Sequence, residues 1–113
     1  MAGEIITVPG CKGTTVEELV SENDIQILKV MVEPGGEIPL HTHKCAATMV
    51  VVKGEAKVLG KKDKQIANQG DIIVKSSMEP HGFTDVKKPF CFVSISDGKG
   101  ILQNDGWDLK FMY

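Results

Sequence analysis

The sequence predicts an all-β fold, either a sandwich or a barrel. Short β-branched and apolar runs alternate with turns rich in Gly and Pro through most of the 113 residues. Helical periodicity is almost absent, and no segment of crossover length separates the runs, so antiparallel pairing is expected. The length fits a single domain with a modest core. We expect an N-terminal arm over about residues 1–24 and the barrel over about residues 25–113.

The elements in the first half of the chain are identified by composition and by the turns that bound them. A helical turn is predicted at residues 15–20, with a threonine as its N-cap. The first clear strand is the apolar run 25–33, and the Pro-Gly-Gly turn after it predicts a strand end. The most β-branched run is 46–53, and a Gly-Glu turn leads from it into a strand at 56–59.

The second half of the chain predicts five further strands. Each is a short β-type run that begins or ends at a turn signal such as Gly-Asp or Lys-Lys-Pro. Their near-regular spacing is typical of sandwiches and barrels. The five runs are 65–67, 72–75, 82–86, 90–96 and 107–112.

Composition and charge are ordinary for a globular protein. Hydrophobic residues make up 42% and charged residues 25% of the chain, and the formal net charge is −2. This balance predicts neither a nucleic-acid partner nor binding to an anionic membrane. No stretch reaches the roughly 20 apolar residues that a membrane span needs. Residues 1–10 lack the basic and apolar regions of a signal peptide, so a cytoplasmic location is expected.

The three cysteines are Cys11, Cys45 and Cys91. An odd number without a Cys-x-x-Cys pair argues against a disulfide framework and agrees with a reducing compartment. Cys11 follows a Pro-Gly pair and is expected at the periphery.

Two predicted strands, 25–32 and 90–95, are apolar on both faces. Because adjacent residues of a strand point to opposite faces, both faces should be buried. The barrel core can cover one face, and a second subunit can cover the other. We therefore expect a homodimer.

The chemistry of the chain centres on three histidines, two of which stand in the sequence His41-Thr42-His43. In an extended strand alternate side chains share a face, so both imidazoles point into the same volume. Neutral imidazole is the commonest transition-metal ligand in proteins. Two converging rings therefore predict half of a metal site. The alternative is a pair of solvent-exposed turn histidines after Pro39.

The spacing around these histidines resembles the cupin superfamily. A glycine, five residues, His41, one residue, His43 and then ten residues to Gly54 is similar to the first signature of that family. Gly70, ten residues and His81 is similar to the second. The resemblance implies a double-stranded β-helix, or jelly-roll, barrel. It also implies one divalent transition-metal ion, with Fe, Mn, Ni, Zn and Cu all open, bound by His41, His43 and His81.

The resemblance is incomplete at the metal-binding glutamate of the family. That position falls on Ala47 or Thr48, and neither side chain is a carboxylate. The proline, glycine and asparagine of the second signature are replaced by Ser76, Met78 and Asp85. The implied ligand set is three neutral imidazoles, which leave the ion with its full double charge. Such a centre should attract an anionic or enolisable chelating molecule.

Three-histidine centres of this family resemble those of thiol dioxygenases and β-diketone-cleaving dioxygenases. The resemblance implies a non-haem metal-dependent dioxygenase, with iron as the favoured metal and a small chelating substrate. The sequence assigns no catalytic acid or base. A cupin that binds or senses a small ligand without turnover is the alternative. A sugar-type isomerase or epimerase is less consistent with the sequence, because the chain has no arginine to bind phosphate through two hydrogen bonds.

Cys45 shares strand parity with His41 and His43. Cys45 is therefore a candidate fourth ligand, since a thiolate binds Zn, Fe and Cu. The alternative is that it is a small buried hydrophobic residue. A local irregularity between His43 and Ala46 would remove the parity argument.

The remaining site candidates surround the predicted centre. Met49 and Phe83 share parity with the ligands, and Cys91 lies in a core strand. These three are candidate pocket residues, although side chains that simply fill a small barrel follow the same pattern. Asp85 could hydrogen-bond a ligand imidazole and set its tautomer, or be an ordinary solvated turn residue.

Overall fold

The computed structural model describes residues 4–61, 65–97, 100–103 and 106–112, and strands and turns account for all of this part. The predicted all-β class is confirmed, and most strands form one strongly curled antiparallel sheet. In the same part of the chain, no helix is long and apolar enough to span a membrane. The strands are β1 (Ile5–Thr7), β2 (Lys12–Glu22), β3 (Ile25–Thr42), β4 (Ala47–Lys53), β5 (Glu55–Leu59), β6 (Ile66–Asn68), β7 (Ile72–Lys75), β8 (His81–Thr84), β9 (Phe90–Asp97), β10 (Leu102–Gln103), β11 (Gly106–Trp107) and β12 (Lys110–Phe111).

Strand β3 is the element that joins the two halves of the barrel. The sheet order is β6-β5-β8-β3-β9-β4-β7, with β2 and β12 also paired to β3 and β1 paired to β2. The first part of β3 pairs with β2 and β9, and its last part pairs with β8 and β12. Residues at the end of β3 are therefore held between strands from different parts of the sequence.

The strand end predicted at the Pro-Gly-Gly turn is wrong, because β3 continues to Thr42. Gly35 has a φ of 81°, and its amide donates to the Val86 carbonyl. A Cβ on Gly36 would lie 2.7 Å from the Lys12 carbonyl oxygen. The two glycines therefore bend β3 and let β2 approach it closely, rather than reversing the chain.

Two other local predictions are also wrong. The helical turn predicted at 15–20 lies inside β2, where Thr14 and Val16 are buried on one face and the segment pairs with β3. The single strand predicted at 107–112 is divided, because β11 pairs with β10 whereas β12 pairs with β3. In both cases pairing with a distant strand outweighs local preference.

The core is built from alternate residues of the strands and centres on three phenylalanines. Phe83, Phe90 and Phe92 are at most 4% exposed, and their ring centroids lie 5.1 to 5.6 Å apart. Burial of each ring stabilises the fold by about 1.5–3 kcal/mol relative to an exposed ring. Because Phe83 lies in β8 two residues after His81, this packing also fixes the strand that carries His81.

Candidate metal centre

Three histidine side chains converge where β3 meets β8. His41 lies in β3, His43 follows directly after that strand, and His81 opens β8. His41 and His81 are direct cross-strand partners. Their ring centroids are 4.2 Å apart, and those of His43 and His81 are 5.1 Å apart. One ring nitrogen from each residue lies within 4.8 Å of the others, a spacing at which the three could hold one metal ion.

Gly82 allows the close approach of β8 to β3 on which this convergence depends. A Cβ at Gly82 would lie 2.5 Å from the Ile38 carbonyl oxygen. No other residue fits there unless β8 moves away. Because Gly82 directly follows His81, the same contact sets the distance between His81 and His41.

Backbone carbonyls orient two of the three rings. Nδ1 of His41 is 2.8 Å from the Pro39 carbonyl oxygen, and Nδ1 of His43 is 2.8 Å from that of Cys45. A carbonyl oxygen can only accept a hydrogen bond, so Nδ1 carries the proton in each ring and donates it. Nε2 of each ring is then the nitrogen with a free lone pair, which is the state that binds metal.

His81 has a different environment. Its Nδ1 is buried and makes no hydrogen bond of normal geometry with the described residues. A weak interaction with the Glu79 carbonyl raises the pKa of His81 much less than burial lowers it. An unsatisfied buried polar atom costs about 1–3 kcal/mol. The position of this ring is therefore set by its packing against the other two imidazoles rather than by a hydrogen bond of its own.

Burial keeps the three imidazoles neutral at neutral pH. They are 2–5% exposed, and desolvation is the largest cause that lowers the pKa of each. The positive charge of Lys75 lowers these pKa values further. The pKa of His43 falls to about 4. Neutral imidazoles offer their lone pairs without first losing a proton, so this donor set fits Fe, Ni, Cu or Zn.

The histidines border a partly open cavity of about 60 Å³. Both Met49 and Phe83 line it, and Trp107 and Leu109 add further apolar surface. A centre at this position would be in contact with a small, largely apolar pocket that is partly open to solvent.

Cys11 lies closer to the site than the sequence predicts. It lines the cavity and is half-buried, because the turn between β1 and β2 folds it inward. Burial, together with the charge of Glu37, raises the pKa of its thiol to about 11. Cys11 is therefore a neutral part of the cavity wall at physiological pH.

Cys45 is not brought into the histidine cluster. β3 ends at Thr42 and β4 begins at Ala47, so the residues between them do not alternate and the parity argument fails. Its Sγ lies 3.4 Å from Nδ1 of His43, the nitrogen that already donates to the Cys45 carbonyl. Cys45 therefore orients His43 through its backbone, and its position does not support the role of fourth ligand.

Cys91 and Asp85 are also placed away from the centre. Cys91 is buried in β9 but alternates with Phe92, which lines the cavity, so Cys91 points to the other face. Asp85 is exposed in the turn after β8, with a φ of 57°. The pocket role of Cys91 and the imidazole contact of Asp85 are therefore not supported, and carbonyl groups orient His41 and His43 instead.

The residue near the site that sequence reasoning missed is Lys75. Its side chain is 0% exposed, although a lysine at a strand end before two serines is typical of a solvated position. The signal that could have found it is alternation within β7. Ile73 points inward, and Lys75 shares its face.

The fold and the histidine cluster together define a small all-β barrel with a candidate three-histidine metal centre. A family model described as "Cupin domain" matches residues 28–96. The chain therefore belongs to the cupin family. Comparison with curated proteins gives no match.

Solved structures with the same fold agree with this assignment. The polyketide cyclase RemF from Streptomyces resistomycificus has a TM-score of 0.77 at 18% identity, over 98% of this chain and 80% of that one. An RmlC-like cupin from Shewanella frigidimarina NCIMB 400 has a TM-score of 0.74 at 20% identity, over 85% and 84%. A protein with a double-stranded β-helix domain from Klebsiella pneumoniae subsp. pneumoniae MGH 78578 has a TM-score of 0.72 at 25% identity, over 96% and 91%. These similarities support the double-stranded β-helix fold.

Proposed function

We propose that this cupin is a metal-dependent dioxygenase that binds one divalent transition-metal ion, with iron favoured, through His41, His43 and His81. Its substrate would be a small chelating molecule of the thiol or β-diketone type. The observation that carries the proposal is the convergence of three neutral imidazoles on a small apolar cavity. Three neutral ligands leave the ion its full charge and open positions for other ligands.

The residues of the chain would prepare this site in two ways. The carbonyls of Pro39 and Cys45 hold His41 and His43 with Nε2 free. The apolar wall, including Met49 and Phe83, excludes water from the bound substrate. Ferrous iron, when bound, would supply the positions at which a chelating substrate and dioxygen meet.

The size of the cavity limits the substrate. Its volume of about 60 Å³ is well below the roughly 150 Å³ of an engineered protein cavity that holds benzene. Because the pocket is partly open, this volume limits only the part of the substrate that lies inside it.

Oxygen consumption tests the proposal directly. The protein is reconstituted with ferrous iron, its iron content is measured, and an oxygen electrode follows a panel of short thiols and β-diketones. We expect uptake with at least one compound and none with His81→Ala. No uptake across the panel, with iron bound to the wild-type protein, would contradict the dioxygenase function.

A second candidate function is binding of a small ligand without turnover. Among the residues that the structure describes, no carboxylate joins the histidine cluster, so a general base beside it is not identified. This candidate predicts that a ligand raises the melting temperature of the metal-loaded protein and is recovered unchanged by mass spectrometry. A sugar-type isomerase would need a His–acid pair, and among the described residues no carboxylate joins the histidine cluster. This third function is therefore not supported.

We also propose that the chain forms a homodimer through the outer face of its sheet. Ile72 and Val74 of β7 are 63% and 61% exposed. Val74 and Ile95 both pair with Thr48, so they lie in one row across β7, β4 and β9. A contiguous apolar surface of this kind is typical of a face that a partner covers.

A further inference from the structure

Ser94 belongs to the wall of the cavity that the histidines border. It lies in β9, where it pairs with Leu28 of β3 on one side and with Met49 of β4 on the other. Both of these neighbours also line the cavity. The serine is 3% exposed, so its side chain faces the interior of the barrel. A short polar side chain therefore stands between two longer apolar side chains on the cavity wall.

The hydroxyl group of Ser94 makes no hydrogen bond with the residues that the structure describes. Comparable hydroxyl groups are bound by the chain itself. That of Thr14, also on the cavity wall, donates to the Lys12 carbonyl at 2.9 Å. That of Ser96, on the same face of β9, donates to the Gln26 carbonyl at 3.4 Å. Because buried polar groups are nearly always paired, the hydroxyl of Ser94 favours a partner inside the cavity.

The rest of the wall determines which charge a ligand can carry. Among the described residues that line the cavity, none is charged at neutral pH, since the histidines are neutral and Cys11 keeps its proton. An ionic group placed here, away from the metal centre, would lose its hydration without gaining a counter-charge, which is strongly unfavourable. An uncharged oxygen loses less, because Ser94 replaces one hydrogen bond to water.

We propose that Ser94 is a specificity-determining residue whose hydroxyl hydrogen-bonds an uncharged oxygen of the small molecule that this cavity binds. A serine hydroxyl both donates and accepts, so this oxygen belongs to a hydroxyl or a carbonyl group. The part of the molecule between this oxygen and its metal-binding end is apolar. The inference deepens the proposed function and rests on it only in that the other end of the molecule binds the metal held by the histidines.

Pairs of thiols of equal size test the role of Ser94. Each straight-chain mercaptoalcohol from mercaptoethanol to mercaptohexanol is compared with the alkanethiol that has a methyl group in place of the hydroxyl. Calorimetry measures their dissociation constants for the zinc-loaded wild type and for Ser94→Ala. For the mercaptoalcohol that binds most tightly, Ser94→Ala should weaken binding about threefold to tenfold, the net value of one hydrogen bond. Binding of the matched alkanethiol should not weaken.

Thr14→Val is the matched control. It also removes a hydroxyl group from the cavity wall, but one whose hydrogen is already donated to the Lys12 carbonyl. The ratio of the two dissociation constants should therefore stay at its wild-type value. A merely structural effect of Ser94→Ala would change the affinity for both thiols and leave this ratio unchanged.

The outcomes separate this inference from the proposed function. Zinc content is measured for each protein, and the titrations are repeated on the metal-free protein by NMR. If the protein binds no zinc but a mercaptoalcohol still binds more weakly to Ser94→Ala, the metal-dependent function fails and the role of Ser94 stands. If Ser94→Ala affects both thiols of every pair equally, the role of Ser94 is overturned whatever the metal does.

Two results on the wild-type protein would also overturn the inference. One is that no mercaptoalcohol binds to either form of the protein. The other is that a mercaptoalcohol binds without shifting the NMR resonances of Ser94. These measurements decide the question even if the variant does not fold.

Discussion

Each histidine of the cluster is held by a different neighbour. His41 and His43 donate to carbonyls within two residues of themselves, whereas His81 depends on the approach of β8 to β3 at Gly82. Local turns and a long-range strand pair thus act together on one small volume. Removal of a single imidazole should leave the supporting backbone intact.

We expect His41→Ala and His81→Ala each to abolish stoichiometric zinc binding while the barrel stays folded. Two imidazoles that remain cannot match the affinity of three. Elemental analysis after dialysis measures the metal, and circular dichroism checks the fold. Cys45→Ser is the control and should keep full occupancy, because its sulfur lies beside the nitrogen of His43 that faces the Cys45 carbonyl. Full occupancy in both histidine variants would refute the site.

The buried histidines should also make the stability of the metal-free protein depend on pH. Unfolded histidine has a pKa near 6.5, and folding lowers that of His43 to about 4. Between these values the unfolded state binds more protons, so the free energy of unfolding falls as the pH falls. From about pH 7 to about pH 5, His43 alone should reduce it by about 2 kcal/mol.

Urea unfolding at several pH values measures this effect. His43→Gln removes the titrating group, so its stability should change less over the same interval than that of the wild type. Parallel curves for the two proteins would show that His43 has an ordinary pKa in the folded state. Bound zinc should raise the wild-type curve without changing its slope above the pH at which protons displace the ion, because the folded histidines are neutral with or without the metal.

At the scale of single residues, the sequence identifies candidate site residues where the prediction depends on their spacing. His41 and His43 lie two positions apart in the sequence, and His81 follows Gly70 at the spacing of the second cupin signature. All three could therefore be identified as candidate metal ligands from the sequence.

Alternation within β7 places Lys75 on the same face as Ile73, but its full burial does not follow from the sequence, because it depends on the pairing of β7 with β4. For Cys45 the sequence leaves a fourth ligand and a buried hydrophobe both open, and the four irregular backbone positions between β3 and β4 remove the alternation on which the ligand role depends.

Among the secondary-structure elements, the C-terminal segment depends on one buried side chain from a distant strand. Gln26 of β3 accepts hydrogen bonds from the amides of Ile101 and Leu102 at 2.8 and 3.0 Å and donates to the Leu102 carbonyl at 2.6 Å. Ile101 lines the cavity, and Trp107 follows in β11. Gln26 therefore holds the segment that covers this part of the cavity.

We expect Gln26→Leu to lower the free energy of unfolding by about 3 kcal/mol, because two amides lose their acceptor in a buried place. Denaturant unfolding gives the change. The matched control is Gln103→Leu, since the Gln103 side chain is half-buried and makes one hydrogen bond with the described residues, to the Gly100 carbonyl. Its loss should amount to less than about 1 kcal/mol. Equal effects in the two variants would mean that Gln26 does not anchor the segment.

The strands themselves were predictable where turn residues bound them, at both ends for β7 and at the C-terminal end for β4. Predictions failed where a turn-type sequence serves another purpose. The Pro-Gly-Gly sequence bends β3, and the segment after Trp107 changes partner from β10 to β3. A glycine shows that the backbone can turn at that position. Whether the chain reverses there depends on the strand with which it pairs, and the local sequence does not identify that strand.

For the whole molecule, the two surfaces of the sheet have opposite characters. The inner face contains the core and the histidines, whereas the outer face exposes apolar side chains at Ile72, Val74 and Ile95. β7 also stands at the end of the described sheet order. Lys61 donates to the Val74 carbonyl at 2.9 Å, which occupies part of that edge. The exposed face is therefore a better surface for a partner than the strand edge.

We expect the wild-type chain to be a dimer by sedimentation equilibrium and the double variant Ile72→Lys, Val74→Lys to be a monomer. Two charges on this apolar face would lose their hydration on association, which is unfavourable. Ile66→Lys is the control, because Ile66 is 44% exposed but lies in β6 at the other end of the sheet order. A monomeric wild type, or a dimeric double variant, would exclude this interface. All three histidines come from one chain, so the monomeric variant should still bind one zinc ion per chain. Retention of zinc would show that the metal centre is complete within a single barrel and that dimerisation serves to cover the apolar face.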